Sequence, residues 1–410
     1  MNGPSDGAVP QTGCAATPPL DAARARPLAI AIVRARYNPH GGAERYTQRA
    51  LSALDAAGVD LTLIARSWPG GADEGLPARW RLLAVDPFHV GSLWRDQSFA
   101  RAVRRVLRGA RFDVVQSHER IAGVSLYRAG DGVHASYLQA RYRVLPAWRR
   151  VLVRLSPRHR WVLREERAMF RHPGLRAVIC NSRMVLDDIA ERFAVPRERL
   201  HLLRNGVDLA RFRPPSTEER LAARAAFGID PDAPLLAFVG SGFERKGLAA
   251  AIAALARAPA GVGLLVAGTD RGERRWRELA SQLGVAGRVR FLGGLDDVRP
   301  VLWAADGFLA PALYDPYPNA ALEALACGVP LIASTGCGVC ELVEHGRNGF
   351  VHDALDIEGL ADAIGRLVAQ RATHAMRHAA RESALPWSLE AAGQALVALY
   401  RRLLAESPAP

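Results

Sequence analysis

LLAFVGSGFERKGL (235–248) runs from an unbroken apolar segment through a glycine-rich turn with two adjacent cations into a helical pattern. A short apolar run closed by turn residues is how a strand buried on both faces reads, and a helix following it makes one unit of a parallel sheet. The pattern recurs downstream in GLLVAG (263–268), VRFLG (289–293), GFLAP (307–311) and VPLIAS (329–334), each followed by a helical stretch. Upstream a first series runs through LAIAIVR (28–34), VDLTLIA (59–65), FDVVQS (112–117) and RAVICNS (176–182) to HLLRNGVD (201–208), with helical patterns such as AERYTQRALSALDAAG, closed by Gly58, in between. FRPPSTEER (212–220), with two prolines and a polar run, separates the series. The reading is α/β: two doubly wound Rossmann-like domains facing across a cleft, with ligands at the carboxyl ends of the strands. Its expected parts are a flexible leader (1–27), an N-terminal domain (28–211), a C-terminal domain (212–385), and a terminal helix and tail (386–410) that pack back across the pair.

The loops at those strand ends carry the chemistry. In YNPHGGAERY (37–46), Gly41 and Gly42 would let the backbone approach a ligand, and a helix start favours phosphate, although a plain tight turn explains an isolated Gly-Gly as well. The second-domain loop is more pointed. Gly240 and Ser241 open its glycine-rich turn, and Arg245 and Lys246 supply a planar fork and a point charge suited to a diphosphate. The chain has a single lysine, Lys246, so a primary amine is retained at this one position among the basic residues. In LYDPYPNAALEALACGVPLIAS (313–334), Asp315 lies in a proline-bounded turn and Glu323 in the helix that follows, with Asn319 as its expected N-cap. Two carboxylates so placed can accept hydrogen bonds from sugar hydroxyls, while a carboxylate complementing the helix dipole would account for Glu323 alone. His118, at the end of VVQSHER, either lines a cleft or caps its strand. Cys337 and Cys340 form a CxxC with no second CxxC or histidine pair at zinc spacing, so they are expected to be structural.

Charge sharpens the reading. The 410 residues include 54 basic and 41 acidic side chains, for a net charge of +13. Nucleic acid, a phospholipid surface or phosphorylated ligands would each match that excess. Eleven arginines stand against Glu165 and Glu166 between 135 and 176, mixed with Tyr137, Tyr142, Trp148 and Trp161. Basic residues interleaved with interfacial aromatics favour an anionic membrane surface, and no nucleic-acid recognition motif is present. No run of about 18 uncharged apolar residues suggests a membrane span, and 1–27 does not read as a signal peptide. Five scattered cysteines fit a reducing compartment.

The GG loop, the RKG loop, the acidic residue followed at fixed spacing by Glu323 ahead of ALACGVPLIAS, and then GCGVCELVEHGRNGF occur in an order that resembles glycosyltransferase family 4, retaining enzymes of the GT-B fold. The resemblance spans about Leu28 to Arg402. RYNPHGGAER, LYRAGDGVH, RHRWVLREERAMF, GSGFERKG and AGTDRGERRWRELASQLGV are further similar to the members that add glucose to an inner-core heptose of lipopolysaccharide. The resemblance implies a UDP-sugar donor carrying glucose, no cofactor and no metal, a lipid-linked oligosaccharide acceptor, a monomer, and a cytoplasmic location peripheral to the inner membrane. By the same resemblance Gly42 contacts the donor diphosphate, Arg245 and Lys246 neutralise it, Glu323 takes the ribose hydroxyls and Asp315 the transferred sugar. Asp131 matches an acidic position near the anomeric centre, with His134 competing for that place. Asp315 stands where the family commonly has Glu, and Tyr46 where the core glucosyltransferases have an aspartate. Other readings are a family 4 enzyme with another donor or acceptor, an epimerase or inverting transferase on this architecture, and a catalytically idle carbohydrate- or lipid-binding protein.

Overall fold

The computed structural model describes residues 28–36, 59–67, 80–369 and 373–406. The N-terminal sheet is all parallel and has seven strands: β1 Ala29–Arg36, β2 Asp60–Ser67, β3 Trp80–Ala84, β4 Val114–Ser117, β5 Leu126–Arg128, β6 Ala177–Cys180 and β7 Leu200–Leu202. Their spatial order is 3-2-1-4-5-6-7. The C-terminal sheet is also all parallel: β8 Leu235–Val239, β9 Gly263–Ala267, β10 Val289–Gly293, β11 Gly307–Ala310, β12 Leu331–Ser334 and β13 Gly349–His352, in the order 10-9-8-11-12-13. Both sheets reverse direction beside their first strand, which opens a crevice at the carboxyl ends.

β3, β5 and β13 lie outside the apolar runs that announced the other strands. β5 is the three-residue LYR, and its Arg128 is buried with its guanidinium on Asn205 at 2.6 Å. A charged residue in a three-residue strand leaves no periodicity to read. The helix containing Gly58 lies outside the described residues.

The C-terminal helix Leu389–Ala405 starts at Ser388, whose side chain accepts from Ala391 N at 3.0 Å. Its stripe of Leu396, Leu399, Tyr400, Leu403 and Leu404 packs with Ile30, Leu61 and Val114 of the N-terminal sheet. Tyr400 Oη donates to Gln116 Oε1 at 2.9 Å inside that core. The chain therefore returns from the second domain to close the first, the GT-B arrangement. Where it returns, Val207 and Ser388 form a backbone bridge, with Val207 N donating to Trp387 O and Leu389 N to Val207 O.

Candidate active site

The loop after β8 is shaped around its lysine. Gly240 has φ +139°, and a Cβ there would lie 2.5 Å from Lys246 Cε. Without that carbon the lysine chain folds back over the strand end, and its Nζ donates to Asp315 Oδ2 at 2.8 Å. Arg245 reaches the same oxygen at 3.0 Å. Asp315 is held from the backbone: its N–H donates to Gly336 O and its carbonyl accepts from Gly338 N, each at 2.9 Å. The CxxC segment thus serves as a backbone clamp for this aspartate, with Cys337 and Cys340 as free thiols. Burial works against a charged Asp315, but Lys246 and Arg245 outweigh it and hold the carboxyl below the usual carboxylate range. Two cations meet one carboxylate, so this cluster holds one positive charge more than Asp315 balances.

Across the cleft, Asp131 sits exposed in the turn after β5. Gly132 follows with φ +64°, and a Cβ on it would lie 2.3 Å from Tyr314 Oη. The turn can therefore press against the Tyr314–Asp315 loop, where Val133 N donates to Tyr314 Oη at 2.7 Å. Asp131 is thereby brought close to the Tyr314–Asp315 loop. Behind it the buried Glu166 accepts from Arg120 Nε at 2.8 Å and from His134 N at 2.9 Å, and Arg120 also donates to Gly132 O at 2.8 Å. This support was invisible in sequence, where Glu166 read only as one of two acids in a basic stretch. His134 places Nε2 3.0 Å from His159 Nδ1, and burial, with Arg120 next in effect, lowers its pKa to about 3. It is a neutral imidazole at physiological pH.

The other expected residues divide. Ser241 is exposed, with Oγ 3.2 Å from Thr269 Oγ1 and accepting from Thr269 N at 3.1 Å. Glu323 lies within the helix Asn319–Ala326. Asn319 is not the N-cap: Pro318 holds that position with no side-chain cap, and Asn319 Oδ1 accepts from Asn205 Nδ2 at 2.6 Å. Its side chain instead ends a chain Arg128–Asn205–Asn319 that ties the two domains, because proline one residue earlier already fixes the helix entry. His118 is buried with its Nε2 3.0 Å from Gln116 Nε2, and it is absent from the cavity that Asp131 and His134 line. Gly41, Gly42 and Tyr46 lie outside the described residues.

Two cavities open on this region. One of about 370 Å³ lies between Tyr137 and Arg141 of the N-terminal domain and Gly242, Arg245 and Leu313 of the other. The second, about 350 Å³, is in the N-terminal domain and includes Asp131, His134, Arg120 and Trp161. The domains are tied by Arg141–Glu244 at 3.1 Å, Arg143–Asp353 at 2.7 Å and Arg204–Glu341 at 2.5 Å, the last carboxylate also accepting from Met184 N at 3.0 Å. A preorganised cation pair facing a carboxylate across a cleft can stabilise a departing phosphate while positioning a second substrate.

Known proteins resemble the chain on both sides of this cleft. The family model Glycosyltransferase Family 4 matches residues 40–211, and Glycosyl transferases group 1 matches 233–370. The lipopolysaccharide core biosynthesis glycosyltransferase LpsE of Rhizobium meliloti is 28% identical over 348 residues, covering 82% of this chain and 88% of its own. The lipopolysaccharide glucosyltransferase WaaG of Escherichia coli is 27% identical over 329 residues, covering 79% and 85%. A crystal structure of WaaG, a glycosyltransferase involved in lipopolysaccharide biosynthesis, superposes with a TM-score of 0.77 at 25% identity over 90% of this chain and 99% of that one. With matched sequence on both sides of the cleft and the fold that places Arg245, Lys246 and Asp315 together, the chain belongs to glycosyltransferase family 4.

Proposed function

We propose that this enzyme transfers glucose, with retention, from UDP-glucose to a heptose of a lipid-linked lipopolysaccharide core. The observation that carries the reading is the convergence of Lys246 and Arg245 on Asp315 beside Asp131. In it the cations meet the donor diphosphate and carry the charge that grows on the leaving phosphate. Gly240 and Ser241 shape the turn beside that diphosphate, and the resemblance assigns Gly41 and Gly42 to it as well. Asp315 orients the transferred sugar, Glu323 the ribose hydroxyls, and Asp131 stands at the anomeric centre on the acceptor side. The leaving phosphate takes the acceptor proton in a front-face attack, so no separate base is required. The likeness to LpsE and WaaG supports the acceptor class.

The membrane part of the proposal rests on the helix Ala147–Leu155, which buries none of its residues. Trp148, Val151, Leu152 and Leu155 recur at helical spacing and are 60%, 54%, 59% and 62% exposed. Arg149, Arg150 and Arg154 accompany them. An exposed apolar face flanked by arginines suits the interface of an anionic leaflet, where the enzyme would work as a cytoplasmic, peripheral protein. No described helix is long and apolar enough to cross a membrane. The experiment is transfer from UDP-, GDP- and ADP-glucose to a heptose-bearing core acceptor, with the product anomer read by NMR. The proposal expects an α-linked product from UDP-glucose, and a β-linked product or indifference to the base would overturn it.

A further inference from the structure

The N-terminal cavity beside Asp131 is lined by charged side chains that are unevenly paired. Arg34, Arg66, Arg95, Arg120 and Arg158 line it, against Asp96, Glu119 and Asp131. Two of these arginines are committed elsewhere. Arg120 is taken by Glu166 and Gly132 O. Arg66 is almost fully buried, bound to Asp86 at 2.7 Å and donating to Arg95 O at 2.6 Å. Arg95 and Arg158 differ. They approach one shared carboxylate, Asp96, at 2.9 Å and 3.1 Å, and both side chains stay about a third or more exposed. One of the two charges is therefore in excess, at the side of a cavity whose other residues include Trp161, an aromatic face against which a pyranose ring can lie.

We infer that Arg95 and Arg158 form an anion subsite which reads an acidic substituent, a phosphate monoester or a carboxylate, on the acceptor sugar. Assigning the cavity to the acceptor rests on the functional reading above. The arginines' preference for an anion rests only on their own geometry. A guanidinium offers paired N–H donors that fit the two oxygens of either group, and Asp96 occupies them until a ligand anion takes its place. The subsite would select acceptors already acidified, so the reaction follows, in sequence, whichever step introduces the phosphate or the carboxylate.

The test is calorimetry on the full chain without donor, using mannose 6-phosphate, glucuronate and mannose as probes. One of the two acidic sugars should bind at least tenfold more tightly than mannose, and which one does identifies the substituent. Arg95→Gln and Arg158→Gln should each remove that preference with the melting temperature and UDP affinity unchanged. Asp96→Asn removes the competing carboxylate and should tighten the acidic probe severalfold, whereas a purely structural Asp96 would give no gain. Equal binding of mannose and both acidic sugars, or a preference that survives both arginine variants, overturns the subsite. Failure of UDP-glucose transfer with the acidic preference intact would overturn the donor assignment and leave this inference standing.

Discussion

The loop around Lys246 and the helix Ala147–Leu155 both concentrate positive charge, and they treat it in opposite ways. Around Lys246 the charge is inside: Lys246 and Asp315 are largely buried, paired at 2.8 Å and held by backbone clamps. Along Ala147–Leu155 the arginines alternate with exposed Trp148, Leu152 and Leu155 on a helix with no buried face. A paired, desolvated cation is suited to a charge that develops at one point, because its field is strong and already oriented. An exposed array is suited to a diffuse surface, where each charge adds a little and salt removes much of it. The net charge of +13 thus combines two different kinds of electrostatics.

That contrast can be broken at either end. Asp315→Asn should lower turnover by about two orders of magnitude, because it unpairs two cations and weakens the sugar contact proposed for Asp315. Steady-state kinetics beside an unchanged melting curve would show it. Replacing Arg149, Arg150 and Arg154 by Gln should weaken binding to vesicles containing phosphatidylglycerol by roughly two orders of magnitude, at about 1 kcal/mol per basic residue. Raising salt should mimic that loss, and salt-insensitive binding would remove the contrast. Gly240→Ala should cost about tenfold in turnover, since the added Cβ meets Lys246 Cε and the backbone at φ +139° resists any side chain. A smaller effect concerns His118, whose pKa burial, with Arg34 adding to it, lowers to about 3. The unfolded chain takes up that proton near pH 6.5, so the stability His118 contributes is full above that value and is lost as the pH falls toward 3. His118→Asn should flatten the melting temperature against pH over that window, and an unchanged profile would show that the ring does not titrate on unfolding.

Much of this was legible in the sequence where one segment carries the whole signal. Buried strands such as LLAFV and GLLVA read directly, and the RKG loop could be singled out because strand, glycine and cations are adjacent. What could not be read depends on partners far along the chain. Asn319 looked like a helix cap, and only the fold shows Asn205, 114 positions away, using its side chain. Glu166 read only as one of two acids in a basic stretch, yet it supports Arg120 and His134 from a distance of 46 and 32 residues. His118 was open between cleft and strand end, and the deciding neighbours, Gln116 with Tyr400 behind it, include a residue from the far end of the chain. Asp131 was singled out by resemblance alone, and the physical reason for its place, a glycine that lets its turn touch Tyr314, needs three dimensions.

The central claim is that the donor loop stabilises a departing diphosphate through Lys246. The most direct test is glucosyl transfer from UDP-glucose by wild type and Lys246→Ala under saturating donor. The account predicts a kcat lower by about 10² to 10³ in a variant that melts at the same temperature. A kcat within twofold of wild type would contradict it.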